Sequence, residues 1–147
     1  ALFYGAEAEL QFHLLDRDDQ HLHLSLLADT VRAEQTTDHQ PLPRIPPAHL
    51  GIALAFEQGR WSLGAEARHA FRQTRFTAEE TETDGYTLVG VNATYRISAV
   101  SGTRVGLEFF ARGDNLTNAD ARLATSFLKD VAPLPGRGVT FGARLSF

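Results

Sequence analysis

Apolar and polar residues take turns along most of this 147-residue chain. The pattern is plainest at its end, where Val139, Phe141, Ala143, Leu145 and Phe147 alternate with Thr140, Gly142, Arg144 and Ser146. A period of two places one set on each face of a β-strand. The same alternation runs through residues 2–15, 21–35, 49–57, 61–76, 86–98 and 103–116. Phe3, Leu27, Val31 and Phe110 interrupt the polar side. Short polar turns separate some segments, at 16–20, 57–60 and 99–102, and longer connections separate others, at 36–48, 77–85 and 117–138. Pro41, Pro43, Pro46 and Pro47 exclude a central strand from the first long connection. The pattern predicts an all-β antiparallel meander of seven strands in chain order, each pairing with its sequence neighbours.

The residue types on the two faces decide between water and lipid. Each segment approaches or exceeds the roughly 9–11 residues that a tilted strand needs to cross a bilayer. One face collects Leu10, Phe12, Leu54, Phe56, Trp61, Leu63, Val91, Tyr95, Leu107, Phe109, Leu145 and Phe147. The other carries Glu7, Glu9, Glu66, Arg68, Arg72, Arg96, Glu108, Arg112 and Arg144. A soluble sandwich cannot bury that many charges; if they faced water instead, its oily faces would have to pack on each other. A membrane barrel accommodates both sets, with the aromatic set convex and Glu66, Arg68, Arg96, Glu108, Arg112 and Arg144 on the concave, lumen-facing wall. Alternating short and long connections fit tight periplasmic turns and longer external loops. A final Phe in phase with the oily face suits a membrane interface, and Phe141, Leu145 and Phe147 form a candidate signal to a barrel-assembly machinery. The alternative is a soluble all-β meander.

Composition narrows the function. Cysteine is absent, which removes disulfides and thiolate metal sites. A net charge of -4 without a basic block argues against nucleic acid. No apolar run reaches the length of a membrane helix. The opening Ala1-Leu2-Phe3-Tyr4 lacks the pattern of a signal peptide, so an exported chain of this kind is either mature or part of something longer.

Several passages then point to one family. Asp114-Asn115-Leu116-Thr117-Asn118 resembles the end of the penultimate strand in TonB-dependent outer-membrane receptors, and the passage from Ser126 to Arg137 resembles the one leading into their closing strand and terminal Phe. Phe3-Tyr4-Gly5-Ala6-Glu7, Asp29-Thr30-Val31-Arg32-Ala33 and Leu42-Pro43-Arg44-Ile45-Pro46-Pro47 are similar to strands and a loop of the same receptors, with His49 standing where they often place Arg. The resemblance implies the C-terminal part of a 22-stranded barrel, without the plug domain and the first strands, in the outer membrane of a Gram-negative bacterium. It implies outer-membrane lipid and, in the intact parent, an inner-membrane TonB complex as partners. It also implies active uptake of a scarce nutrient such as a metal ion or metal chelate (zinc, an iron siderophore or haem). An odd number of strands points to a fragment independently, because single-chain bacterial barrels have even numbers.

Candidate chemistry is sparse. Asp38, His39, Glu79, Glu80, Glu82 and Asp84 fall on two of the long connections and offer oxygen and nitrogen donors to a cation, as an alternative to being solvated loop tips. His21 and His23 share a strand face beside a short turn and read as surface histidines without a third ligand. The alternating charges of the polar face read as pairs across the wall. Asn92-Ala93-Thr94 and Asn115-Leu116-Thr117 match a glycosylation pattern by chance. No nucleophile elbow, phosphate loop or dinucleotide glycine pattern is present, so the chain reads as a non-enzyme with no cofactor. A small structural or adhesive outer-membrane barrel closing by self-association is the other class the sequence allows, and an outer-membrane hydrolase a third.

Overall fold

The computed structural model describes residues 1–97 and 106–147. They form one seven-stranded sheet in chain order: β1 (Leu2–Arg17), β2 (Gln20–Glu34), β3 (His49–Gln58), β4 (Trp61–Ala70), β5 (Tyr86–Ile97), β6 (Gly106–Asp114) and β7 (Gly138–Ser146). Every neighbouring pair is antiparallel. The described residues contain no helix. The sheet is open, with β1 and β7 each paired on one side only. The turn expected at 99–102 lies outside the described residues, as do Ser98 and Val105.

Register converts the alternation into two faces, because directly paired residues share a side. Leu24, Leu54, Ala65 and Val91 form one apolar row, and Trp61, Tyr95, Phe109 and Ala143 another. Trp61 and Tyr95 rings pack at 4.7 Å between centroids. Glu66, Arg68, Arg96, Glu108, Arg112 and Arg144 all fall on the opposite face. The residues that break the polar side have a structural reason. Leu27 pairs with Gly51, and Phe110 lies over Gly142, where an added Cβ would come 2.7 Å from the ring. Phe3 pairs with Ala33. Each large apolar intruder covers a small partner, as aromatic residues do beside strand glycines.

Several strand boundaries differ from the sequence expectation, the ends of the fourth and first strands among them. The fourth strand stops at Ala70 instead of running to 76, although the Gln73–Thr83 bridge keeps the same register with the chain leading into β5. A Cβ on Gly85 would lie 2.9 Å from the Ala70 carbonyl oxygen, so only glycine permits the approach. The first strand runs on to Arg17, past a bulge between His13 and Leu15. That bulge re-phases the strand: Leu15 rejoins the apolar side opposite Leu22, and Asp16 lands opposite His21. Consequently the first turn shrinks to Asp18 and Asp19, and the three long connections become residues 35–48, 71–85 and 115–137.

The sheet itself buries no large side chain. Phe141 is 82% exposed and Trp61 51%, and among the described residues the buried apolar ones are Ala33, Ala70, Ala121 and Ala124. One layer of strands has nothing to pack against on either face. The apolar face therefore has to be covered by something else, and a bilayer fits a band of this kind.

Candidate ligand-facing loop layer

The long connections all leave the same end of the sheet, opposite the short turns at 18–19 and 59–60. There they interlock, and most of the buried residues lie among them or at their strand junctions: Gln73, Thr83, Asn115, Ala121, Ala124 and Lys129 are all buried. The first two connections are joined at Gln73. Its backbone N–H donates to the Thr83 carbonyl at 2.9 Å, and its side-chain amide donates to the Ile45 carbonyl. The first connection also reaches both others through Arg44, which holds a left-handed backbone at φ 58°. The Arg44 N–H donates to Glu80 Oε1 at 3.0 Å, while its guanidinium sits over the Phe127 ring, 3.1 Å from the centroid. Charge pattern in the sequence gives Arg44 no such role; its position between loops comes from the tertiary fold alone.

The third connection closes on the second through Lys129. Its ammonium donates to Thr83 Oγ1 at 2.8 Å and to the Thr81 carbonyl, and Asp130 accepts from Thr81 Oγ1 at 2.7 Å. A second fastening holds the third connection to its own ends. The Asn115 amide donates to the carbonyls of Ala119 and Pro135, both at 3.0 Å, and its oxygen accepts the Ala119 N–H at 2.9 Å. Asn118 accepts the Arg137 N–H at 3.0 Å. Both asparagines hold left-handed backbones, φ 46° and 52°, which Asn tolerates better than most residues. The Asn-Leu-Thr-Asn passage and the Pro-Leu-Pro-Gly-Arg passage are thus two halves of one hydrogen-bonded unit.

A family model described as "TonB dependent receptor-like, beta-barrel" matches residues 1–116. The chain belongs to the TonB-dependent receptor barrel family. Among solved structures it is similar to one titled "Copper transporter OprC", at 23% identity and a TM-score of 0.73. That match covers 97% of this chain and 23% of the other, so the chain spans less than a quarter of that structure's length. The family match ends at Leu116, so the loop passage from 126 to 137 lies beyond it.

In this receptor-barrel chain the six loop donors are placed as follows. Glu80 is held inside the layer, accepting from the Arg44 N–H and from the Thr77 N–H at 3.1 Å. Glu82 and Asp84 both pair with Arg72, at 3.3 and 2.8 Å. Asp38 accepts the Gln40 N–H at 3.2 Å, and His39 lies 3.5 Å from Glu34, which also meets Arg75 at 3.4 Å. Glu79 is exposed and makes no hydrogen bond or ion pair among the described residues. No three such side chains among the described residues are set to hold a metal ion. The acids therefore divide: Glu80, Glu82 and Asp84 organise arginines, and Glu79 points its charge at solvent.

On the charged face some pairs cross between strands and others run along one strand. Glu108 accepts from Arg96 at 3.0 Å and Arg144 at 3.4 Å across three adjacent strands. Arg112 pairs with Asp114 at 2.8 Å, and Arg68 approaches Glu66 at 3.9 Å. Phe141, Leu145 and Phe147 stand exposed on the apolar side, Phe147 at 96%.

Proposed function

We propose that the chain is the C-terminal barrel portion of an outer-membrane receptor that imports a scarce nutrient with energy from an inner-membrane TonB complex. On this reading residues 1–147 supply seven strands of a 22-stranded barrel, and the plug and remaining strands lie elsewhere in the parent. The observation that carries it is the open, single-layer sheet with one face continuously apolar and the other charged. Unpaired strand edges in lipid cost several kcal/mol for each unsatisfied backbone group, so β1 and β7 call for further strands. Glu66, Arg68, Arg96, Glu108, Arg112 and Arg144 then face the lumen. Phe141, Leu145 and Phe147 face lipid and present the closing strand to the barrel-assembly machinery.

The ligand meets the interlocked layer of residues 35–48, 71–85 and 115–137, opposite the short turns. We take the ligand to be a metal ion or metal chelate, with zinc, iron siderophore, haem and copper as the classes to test. Asp38, Glu79, Glu80, Glu82 and Asp84 support a cation by their charge and His39 by its ring nitrogen, and Arg44, Arg75, Lys129 and Arg137 oppose it. The reading is tested first in the DNA upstream of Ala1. A plug and further strands in frame support it; a start codon placed directly before Ala1 refutes it and favours a small barrel closed by self-association. Uptake is then tested by growth of the parent strain on limiting metal. Replacing Glu79, Glu80, Glu82 and Asp84 together by Ala is expected to slow cation uptake at normal surface expression. Unchanged uptake would remove the acids from the ligand site.

A further inference from the structure

On the apolar face, toward the loop end of the sheet, the register lines up Ala8, Ala28, Leu50, His69 and Thr87 in one row across β1 to β5. The next row toward the short turns holds Leu10, Leu26, Ile52 and Ala67. Between these rows lies an open groove of about 480 Å3 with almost wholly apolar walls. One polar pair interrupts it: His69 Nδ1 lies 2.8 Å from Thr87 Oγ1. The Phe71 ring meets the His69 ring edge to face at 4.7 Å between centroids. His69 Nε2 has no hydrogen-bond partner among the described residues. Farther toward the loops the same face carries Thr30 and then Arg32, paired with Ala6 and Tyr4. Arg32 is exposed and makes no ion pair among the described residues, while Glu34 beyond it is engaged by Arg75 at 3.4 Å.

From the bilayer centre outward, a phospholipid presents its acyl chains, then their ester carbonyls, then its phosphate. The groove, the His69–Thr87 pair and Arg32 follow one another in the same order toward the loop end. We propose that this part of the apolar face is a discrete site for one phosphorylated acyl lipid, with a chain in the groove, a chain carbonyl at His69 and the phosphate at Arg32. The site rests on the reading that the apolar face meets lipid. A ring nitrogen without a partner is costly in hydrocarbon, where water does not reach it. With the Thr87 hydroxyl donating to Nδ1, Nε2–H is left to donate to a lipid carbonyl oxygen. Arg32 follows Ala28 by four residues on β2, roughly 13 Å along the strand and less in depth once the strand is tilted. An arginine there can lay its stem along the apolar surface and turn its guanidinium to a phosphate, which it pairs bidentately. Tyr4 beside it suits the headgroup level. The cation selects an anionic lipid over a neutral one with the same chains. Arg17, on the same face at the opposite end, pairs with Gln20 and borders no such groove.

The test is retention of dioleoyl phosphatidylglycerol by the intact receptor in detergent, counted by native mass spectrometry. The expected result is one tightly held lipid per protein. Dioleoylglycerol, which keeps the chains and carbonyls but lacks the phosphate, should need about tenfold more lipid for the same occupancy. Glycerol phosphate, which keeps the phosphate without chains, should not displace the lipid. Arg32→Gln is expected to weaken retention about tenfold, and Ala28→Leu, which fills the groove without touching a charge, by a similar factor. Arg17→Gln is expected to leave it unchanged. Heat-modifiability on gels checks that each variant is assembled, and the two wild-type comparisons require no substitution. Equal retention of the two lipids, displacement by glycerol phosphate, or an Arg32 variant within about twofold of wild type would each overturn the proposal. Receptor recovered in the membrane but retaining no phosphatidylglycerol would remove this site alone. Receptor recovered in the aqueous fraction would overturn the membrane reading and the site with it.

Discussion

Asn115→Ala should release the third long connection while leaving the sheet intact. Asn115 is only 7% exposed, so water does not replace the lost partners. The substitution strands the Ala119 N–H and the carbonyls of Ala119 and Pro135, which Asn115 now satisfies at 2.9, 3.0 and 3.0 Å. Thr117 Oγ1 stands 3.3 Å from Asn115 Oδ1, but it donates at 2.9 Å to the Thr87 carbonyl, so little is lost there. About 1 kcal/mol for each of three partners gives roughly 3 kcal/mol. Holding Ala at the left-handed φ of 46° adds about 1 kcal/mol. A local destabilisation of about 3–4 kcal/mol corresponds to roughly 10²- to 10³-fold faster opening of the segment. Amide hydrogen exchange on the intact receptor in detergent reads this directly at Ala119, Leu134 and Arg137, whose N–H groups are bonded within the unit. Asn118→Ala removes one exposed acceptor, about 1 kcal/mol, and holds Ala at a left-handed φ of 52°, about 1 kcal/mol more, so it should accelerate Arg137 alone, by roughly 30-fold. Exchange at Leu134 and Arg137 within threefold of wild type in the Asn115 variant would show that the two passages are not one unit.

Other outcomes follow from the same geometry. Leu54→Arg, in the middle of the apolar face, should lower folding stability in lipid by about 2–4 kcal/mol in a urea titration, whereas Ala53→Arg on the charged face should change it by less than about 1 kcal/mol. Equal effects would sink the assignment of faces. Gly142→Ala drives a Cβ to 2.7 Å from the Phe110 ring and should destabilise by about 1 kcal/mol, with Phe110→Ala in the same chain abolishing the added penalty. Additive effects in that double-mutant cycle would contradict the contact. Glu80→Ala should raise proteolytic cutting within 36–48 by freeing the Arg44 and Thr77 N–H groups, while Glu79→Ala should leave the cutting rate unchanged. A matching response from both variants would mean that the loop acids act only through their shared charge.

Strand number, order and facing were legible in the sequence because a period of two is a local property. Each residue's side of a strand is fixed by its neighbours two positions away, and turn residues mark where the count restarts. Thus Leu54 and Phe109 could be placed on one side and Arg96 and Glu108 on the other without coordinates. Family membership was legible too, from ordered passages at matching spacing. What the sequence could not supply were contacts between segments distant along the chain. Gln73 joins the first two long connections through the Ile45 carbonyl. Arg44 joins three loops because a backbone N–H and a guanidinium point in different directions, which no charge pattern encodes. The six loop donors looked like one acidic cluster, yet Arg72 claims Glu82 and Asp84 while Glu80 serves as a backbone acceptor. His21 and His23 alone read as surface histidines. His13 meets His23 only through the cross-strand register, and Asp16 meets His21 only through a bulge that shifts the last part of β1 by one residue. Periodicity fixes which way a side chain faces; pairing register and loop docking decide what it meets there.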